Sequence, residues 1–273
     1  MKLRFLGTAA AEGIPALWCN CEYCRKAFAA GGKDLRHRTG YLLDDDTIID
    51  FGPDLFSQSL AFGIDLTLIK RVLLTHLHED HFAPMEFFYR IGGGFSKDVK
   101  PIDMISSPET FRHMLKNIGI ELTQMKINPL KTYGGEWISS GDMEILGIPA
   151  DHAVGYSAMI FLIRRGGKTL LLGHDTGFLP EKSWDLLRGI ELSVAVLEST
   201  GSLAVPDLNR GHLGINGTVK FRDRLIESGC ISGNTQVVVT HFSHNGHAMH
   251  DDLVAAFAAH QITTAYDGME IDF

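Results

Sequence analysis

At 273 residues, 45% of them hydrophobic, the chain can bury one substantial core. A formal net charge of -8 at pH 7 speaks against a broad grip on large nucleic acids, which needs a basic face, yet bound cations would reverse the local field and suit a small anionic substrate. Four cysteines are too few for a disulfide scaffold, and no apolar run reaches the ~20 residues that cross a bilayer, so a cytoplasmic chain of a single domain with no membrane partner is expected.

The chain opens on a predicted strand at residues 2–6 instead of a charged leader, followed by a Gly- and Cys-rich excursion at about 13–32. A hairpin over 40–43 and 47–50 and a helix over 54–62 come next. An apolar strand at 71–75 runs into a histidine cluster and a helix at about 84–91. A strand near 102–105, a helix after Pro108 and several strands between 143 and 172, two of them meeting at the turn 165–168, fill the middle. A helix after Pro180, a strand at 193–197, a helix at 216–227, a strand at 236–240 and a helix at 251–260 complete the series. Such an α/β order is compatible with two sheets packed face to face and covered by helices, although periodicity alone leaves the topology open.

The chemistry concentrates just past the strand at 71–75. The segment Thr75-His76-Leu77-His78-Glu79-Asp80-His81 holds four potential ligands on a loop that a rigid strand keeps open to substrate. Imidazole and carboxylate suit zinc, manganese or iron, and such crowding makes sense chiefly if cations hold the groups together. This H-x-H-x-D-H pattern resembles the metallo-β-lactamase superfamily. The resemblance implies an αββα four-layer sandwich with two mixed β-sheets, and it points to further ligand positions in order. These are His152 in Pro149-Ala150-Asp151-His152, Asp175 in Gly173-His174-Asp175-Thr176-Gly177, and His241 in Val239-Thr240-His241. It implies that His76, His78 and His152 hold one divalent ion, that Asp80, His81 and His241 hold another, and that Asp175 bridges them. Asp50, in Ile49-Asp50-Phe51-Gly52, matches an aspartate that orients a ligand histidine. Asp151 is a competing ligand beside His152.

Cys19, Cys21 and Cys24 are spaced to wrap one tetrahedral zinc, with His244 as the candidate fourth ligand; Cys230 reads as structural. The stretch from Gly13 to Cys24 resembles the PhnP-type phosphodiesterases, as do Asp175-Thr176 with Leu179-Pro180-Glu181, Thr240 to His244, and Asp267 to Ile271. That likeness implies a structural zinc on Cys19, Cys21, Cys24 and His244, and it gives His212 the place of a histidine that protonates the departing alkoxide. A loop histidine capping the next helix is the alternative reading of His212. His174, His247 and His250 are expected at the surface.

The expected reaction is hydrolysis of a small, possibly cyclic, phosphate diester by water activated between two manganese, zinc or iron ions, with Asp80 and His212 in catalytic roles. A PqqB-like accessory protein of cofactor biosynthesis, a thioester or lactone hydrolase, and a tRNA-processing nuclease are the rivals. No basic arm for a large RNA stands between His152 and His241. A homodimer is the default assembly.

Overall fold

The computed structural model describes residues 1–92, 94–152 and 157–273. Its strands form two seven-stranded sheets whose pairing patterns mirror each other. The first holds β1 (Lys2–Gly7), β2 (Gly40–Leu43), β3 (Thr47–Ile49), β4 (Arg71–Leu73), β5 (Ile102–Ser106) and β6 (Ile127–Lys131). The second holds β7 (Trp137–Ser140), β8 (Met143–Pro149), β9 (Met159–Arg165), β10 (Lys168–Gly173), β11 (Val194–Glu198), β12 (Gln236–Thr240) and β13 (Thr263–Thr264). The last strand, β14 (Glu270–Asp272), returns to the first sheet and pairs antiparallel with β1. In the first sheet β3 to β6 are parallel, and in the second β10 to β13 are.

Side-chain alternation divides the apolar residues among three layers. Along β10, Leu170 and Leu172 face the first sheet and pack with Leu3, Phe5, Leu43 and Leu73, whereas Leu171 faces outward. The outer face of the second sheet is covered by α1 (Glu22–Ala30), α4 (Glu181–Leu187), α5 (Ile215–Glu227) and α6 (His250–Ala258), through Ala27, Trp184, Phe221 and Phe257. The outer face of the first is covered by α2 (Leu55–Phe62) and α3 (Pro108–Ile118), through Leu55, Phe111 and Met114. The result is the αββα sandwich that the resemblance implied. Helix boundaries follow local chemistry: Ser107 caps α3 by accepting from the Thr110 amide, Pro108 opens it, and Gly119 ends it with φ 70. No helix among the described residues is long and apolar enough to cross a membrane.

The short strands β13 and β14 were not read from the sequence, and other features differ or lie outside its reach. The segment Pro84–Arg90 is a 3-10 helix, with bulky Phe87, Phe88 and Tyr89 in succession. β6 and β7 were not anticipated, because Asn128, Pro129 and Ser139 break any apolar alternation and both strands are largely unburied. Residues 153–156, inside the stretch read as strands, lie outside the described residues.

Candidate metal centre

The parallel strands, together with the antiparallel β8, deliver their C-terminal ends to one edge of the sandwich, the usual place for a site in such sheets. Asp50 follows β3, His76 to His81 follow β4, His152 follows β8, Asp175 follows β10 and His241 follows β12. Asp50, Asp175 and His241 all take left-handed backbone, with φ 59, 59 and 58. Non-glycine residues seldom adopt that conformation, and its recurrence at one edge marks a functional site. Close backbone approach also shapes the loop: a Cβ on Gly52 would come within 1.9 Å of the Asp80 carbonyl oxygen.

All seven residues expected from the sequence converge. The ligand atoms of His76, His78, His152 and Asp175 lie within 4.8 Å of one another, and so do those of Asp80, His81, Asp175 and His241. Asp175 belongs to both groups: its Oδ2 lies 2.6 Å from His81 Nε2 and 3.3 Å from His76 Nε2, and its Oδ1 lies 3.4 Å from His152 Nε2. Asp151 does not compete with His152, for its carboxylate instead accepts from the Gly211 amide and Arg210.

Hydrogen bonds fix which nitrogen each ring turns inward. His81 donates Nδ1–H to Asp50 at 2.7 Å, and His152 donates Nδ1–H to the Gly211 carbonyl at 2.8 Å. The Thr75 hydroxyl gives its proton to Asp50 at 3.0 Å, so it must accept from His76 Nδ1, also at 3.0 Å. Thr200 repeats the arrangement, giving its proton to Glu198 at 2.5 Å and accepting from His241 Nδ1 at 2.8 Å. Nε2 of all four rings is thereby left as the lone-pair atom.

The centre fits cations on two independent observations. His81 Nε2, His241 Nε2 and Asp175 Oδ1 are buried without a hydrogen-bond partner, a state that costs about 1–3 kcal/mol for each atom left unsatisfied. His78 Nδ1 stands 2.9 Å from His76 Nε2 and 3.1 Å from His152 Nε2, close to the roughly 2.9 Å between nitrogens bound to one ion at right angles. The electrostatics agree in part: burial opposes the charge of His81, but Asp80, Asp50 and Asp175 push its pKa well up, so a cation at Nε2 would have to displace a proton. Burial opposes the charge of Asp175, but His241, His81 and His76 hold its carboxyl well below the usual range. Burial and neighbouring His81 push His76 well down, leaving it neutral and able to ligate.

Glu198, absent from the sequence reading, supports the other half of the site as Asp50 supports the first. It is fully buried and accepts from the amides of Thr176, Thr200 and Leu213, from Thr200 Oγ1, and from His212 Nδ1 at 3.0 Å. Its one sequence signal was a charged residue ending an apolar strand. His212 does not cap α5, whose N-cap is Gly214. Its Nδ1 faces Glu198 and lies 3.2 Å from Asp175 Oδ1. Burial disfavours its charge, yet Glu198 and then Asp175 and Asp80 hold its pKa up to about 9.

Two of the supposed surface histidines are buried. His174, 1% exposed, donates Nε2–H to Asp50 at 2.7 Å, and His250, 6% exposed, receives Arg36 on its Nδ1 at 3.1 Å. Both looked superficial because polar neighbours in sequence hide their tertiary partners. His247 is exposed, as expected.

About the N-terminal knuckle, the sulfurs of Cys19, Cys21 and Cys24 stand 3.6, 3.9 and 3.5 Å from one atom, His244 Nδ1. Sulfur and nitrogen on a tetrahedral zinc are separated by about 3.6 Å. The Cys24 amide and His244 draw the Cys21 thiol down to about 6, whereas burial pushes Cys24 up to about 12. A shared cation would let all three ionise. Cys230 is buried and donates to the Leu187 carbonyl, a structural role.

Sandwich and histidine edge together define a hydrolase of the metallo-β-lactamase fold. Residues 47–242 match the beta-lactamase superfamily domain, and the chain belongs to that superfamily. Among curated relatives it is 25% identical to a ribonuclease Z of Mycolicibacterium gilvum over 145 residues, which span 47% of this chain and 51% of that protein. Among solved structures, a diphosphatase of the PhnP family superimposes with TM-score 0.74 at 21% identity, over 100% of this chain and 96% of the other. Zinc-bound PqqB from Methylobacterium extorquens gives TM-score 0.74 at 18% identity, over 100% of both.

Proposed function

We propose that the chain is a dinuclear metal-dependent phosphodiesterase that hydrolyses a small, possibly cyclic, phosphate diester. The observation that carries this reading is a single carboxylate, Asp175, shared by the two four-donor groups that together contain all seven expected ligands. His76, His78 and His152 would hold one ion, Asp80, His81 and His241 the other, and Asp175 would bridge them. Two such divalent ions, manganese, zinc or iron, lower the pKa of a shared water and neutralise charge on a phosphoryl group. Asp50 and Glu198 orient the rings, while Asp80 adds negative charge beside His81, 2.9 Å from its Nε2. His212, held protonated by Glu198, supplies the proton that the leaving oxygen takes up. Cys19, Cys21, Cys24 and His244 would hold a separate structural zinc.

The test is turnover of bis(p-nitrophenyl) phosphate and of five-membered cyclic phosphates by protein loaded with manganese or zinc; loaded protein that cleaves neither excludes the reading. His212→Ala should keep its cations and slow diesters with alkoxide leaving groups by roughly 10²-fold or more, but nitrophenyl esters by less, since nitrophenolate departs without a proton. Equal loss on both substrates would remove His212 from the acid role. The similarity to ribonuclease Z favours a nuclease as the second reading, and the chain spans about half the length of that relative. Cleavage of 3′-extended tRNA but not of small diesters would select it. Thioesters, lactones and a quinone-like ligand in the same screen address the hydrolase and PqqB-like rivals.

A homodimer is supported by an apolar face. Phe56, Leu60, Met85, Tyr89 and Phe95 are 67%, 69%, 54%, 50% and 63% exposed. Phe56 and Tyr89 line a cavity of about 740 Å³ with Phe51, Leu55 and Phe87. Exposed apolar side chains gathered around a cavity whose rim also carries Glu86, Arg90 and Lys97 suit an association site. Sedimentation equilibrium should give a dimer for the wild type and a monomer for Phe56→Glu/Leu60→Glu; a monomeric wild type at 100-micromolar order refutes the assembly.

A further inference from the structure

Behind the candidate ligands, one oxygen does double service. Asp50 Oδ2 receives His81 Nδ1 at 2.7 Å and His174 Nε2 at 2.7 Å, while Oδ1 is held by the Thr75 amide at 2.9 Å. Asp50 and His174 are 1% exposed and His81 is 0% exposed. The rings of His81 and His174 lie nearly parallel, with centroids 5.5 Å apart and planes 19° apart. Asp50 directly follows β3 of the first sheet, whereas His174 directly follows β10 of the second and immediately precedes Asp175. The bond therefore ties the segment after β3, whose Asp50 also holds His81, to the segment after β10 that leads into Asp175. The imidazole presents its donor at the far end of a rigid plane, and Nε2 reaches Asp50 across the two sheets.

We infer that His174 is a positioning residue for the metal centre. By donating to the oxygen that also receives His81, it pins the second sheet to the first and fixes how Asp175 meets the donors of the opposite sheet. The inference rests on the metal reading proposed above. His174 lies with Asp50 and His81 behind the seven candidate ligands and acts through Asp50 and through the backbone that leads into Asp175.

The test compares zinc and manganese affinity by chelator competition in wild type, His174→Leu, His174→Gln, Asp50→Ala and Asp50→Ala/His174→Leu. Removing the donor in His174→Leu should weaken cation binding by roughly 10- to 100-fold, and His174→Gln, which keeps an N–H donor, should recover most of it. In the Asp50→Ala background the leucine substitution should cost nothing more. Wild-type affinity in His174→Leu, equal losses for Leu and Gln, or an undiminished leucine effect without Asp50 each overturns the inference. A second measurement stands apart from the variants: ¹⁵N NMR of wild-type protein should find His174 Nε2 protonated, and an unprotonated Nε2 overturns the inference even if the variants fail to fold. Wild-type protein that takes up no cation overturns the metal reading and this inference together, whereas normal wild-type uptake with an indifferent His174→Leu overturns this inference alone.

Discussion

Asp175→Ala is expected to strip both catalytic cations and to lower diester hydrolysis by more than about 10²-fold, the largest functional loss from any single substitution in this chain. Removing a group that merely orients a ligand already costs 10- to 100-fold in related centres, and Asp175 is the carboxylate within reach of both donor groups. Its loss also brings His76, His81 and His241 together with less negative charge among them, since its carboxylate lies 2.6 to 3.5 Å from their Nε2 atoms. Asp175→Asn separates charge from shape: it keeps the side chain's size and should still lose most of the metal. Elemental analysis reads the result directly, and a variant that retains about two catalytic ions per chain refutes the bridging assignment. Because Asp175 sits at φ 59, a conformation that asparagine tolerates better than alanine, Asn should be the more stable of the two variants.

The largest effect on stability is expected from Cys21→Ser. Cys21 is the N-cap of α1, accepting from the Cys24 amide, and serine caps a helix at least as well. The substitution thus spares the cap and removes the thiolate alone. Loss of a structural metal ranks among the few single changes that cost about 4 kcal/mol or more, which for a chain of this size is a fall of roughly 10 °C in melting temperature. Zinc content should drop by one ion per chain, while the catalytic pair still loads. An unchanged melting temperature with undiminished zinc defeats the structural-zinc reading. The knuckle reaches the catalytic edge through a short path: His244 follows His241 by three residues, and between them Phe242 exchanges backbone hydrogen bonds with Thr8 and Ala10. Loosening the knuckle should therefore reach His241 next.

The legible part of the site was the part written contiguously. His76, His78, Asp80 and His81 share one loop, and their spacing signals cation chemistry before any fold is known. His152, Asp175 and His241 were found because each follows an apolar strand and because a known pattern fixes their order. Glu198 and His174 were hidden for the opposite reason. Their roles come from burial and from partners 14 and 124 positions away, His212 and Asp50. A lone carboxylate in Leu197-Glu198-Ser199 or an imidazole in Gly173-His174-Asp175 carries no periodicity that reveals such a partner. Most strands were readable from their apolar runs and the layered architecture only through the family resemblance, whereas β6 and β7 at the sheet edges lacked the two-sided burial that makes a strand visible in sequence.

The return of β14 to β1 carries a consequence for how the molecule is made. Ribosomal synthesis delivers His76 through His81 early, but β1 waits for residues 270–272 to become its outer neighbour, and His241 emerges only a little sooner. A nascent chain halted at residue 200 holds the conspicuous histidine loop and Asp175 without the imidazole that faces them from β12. On the proposed metal reading, cation capture should therefore come late, with closure of the sandwich, and a prematurely released product should be metal-poor as well as unstable.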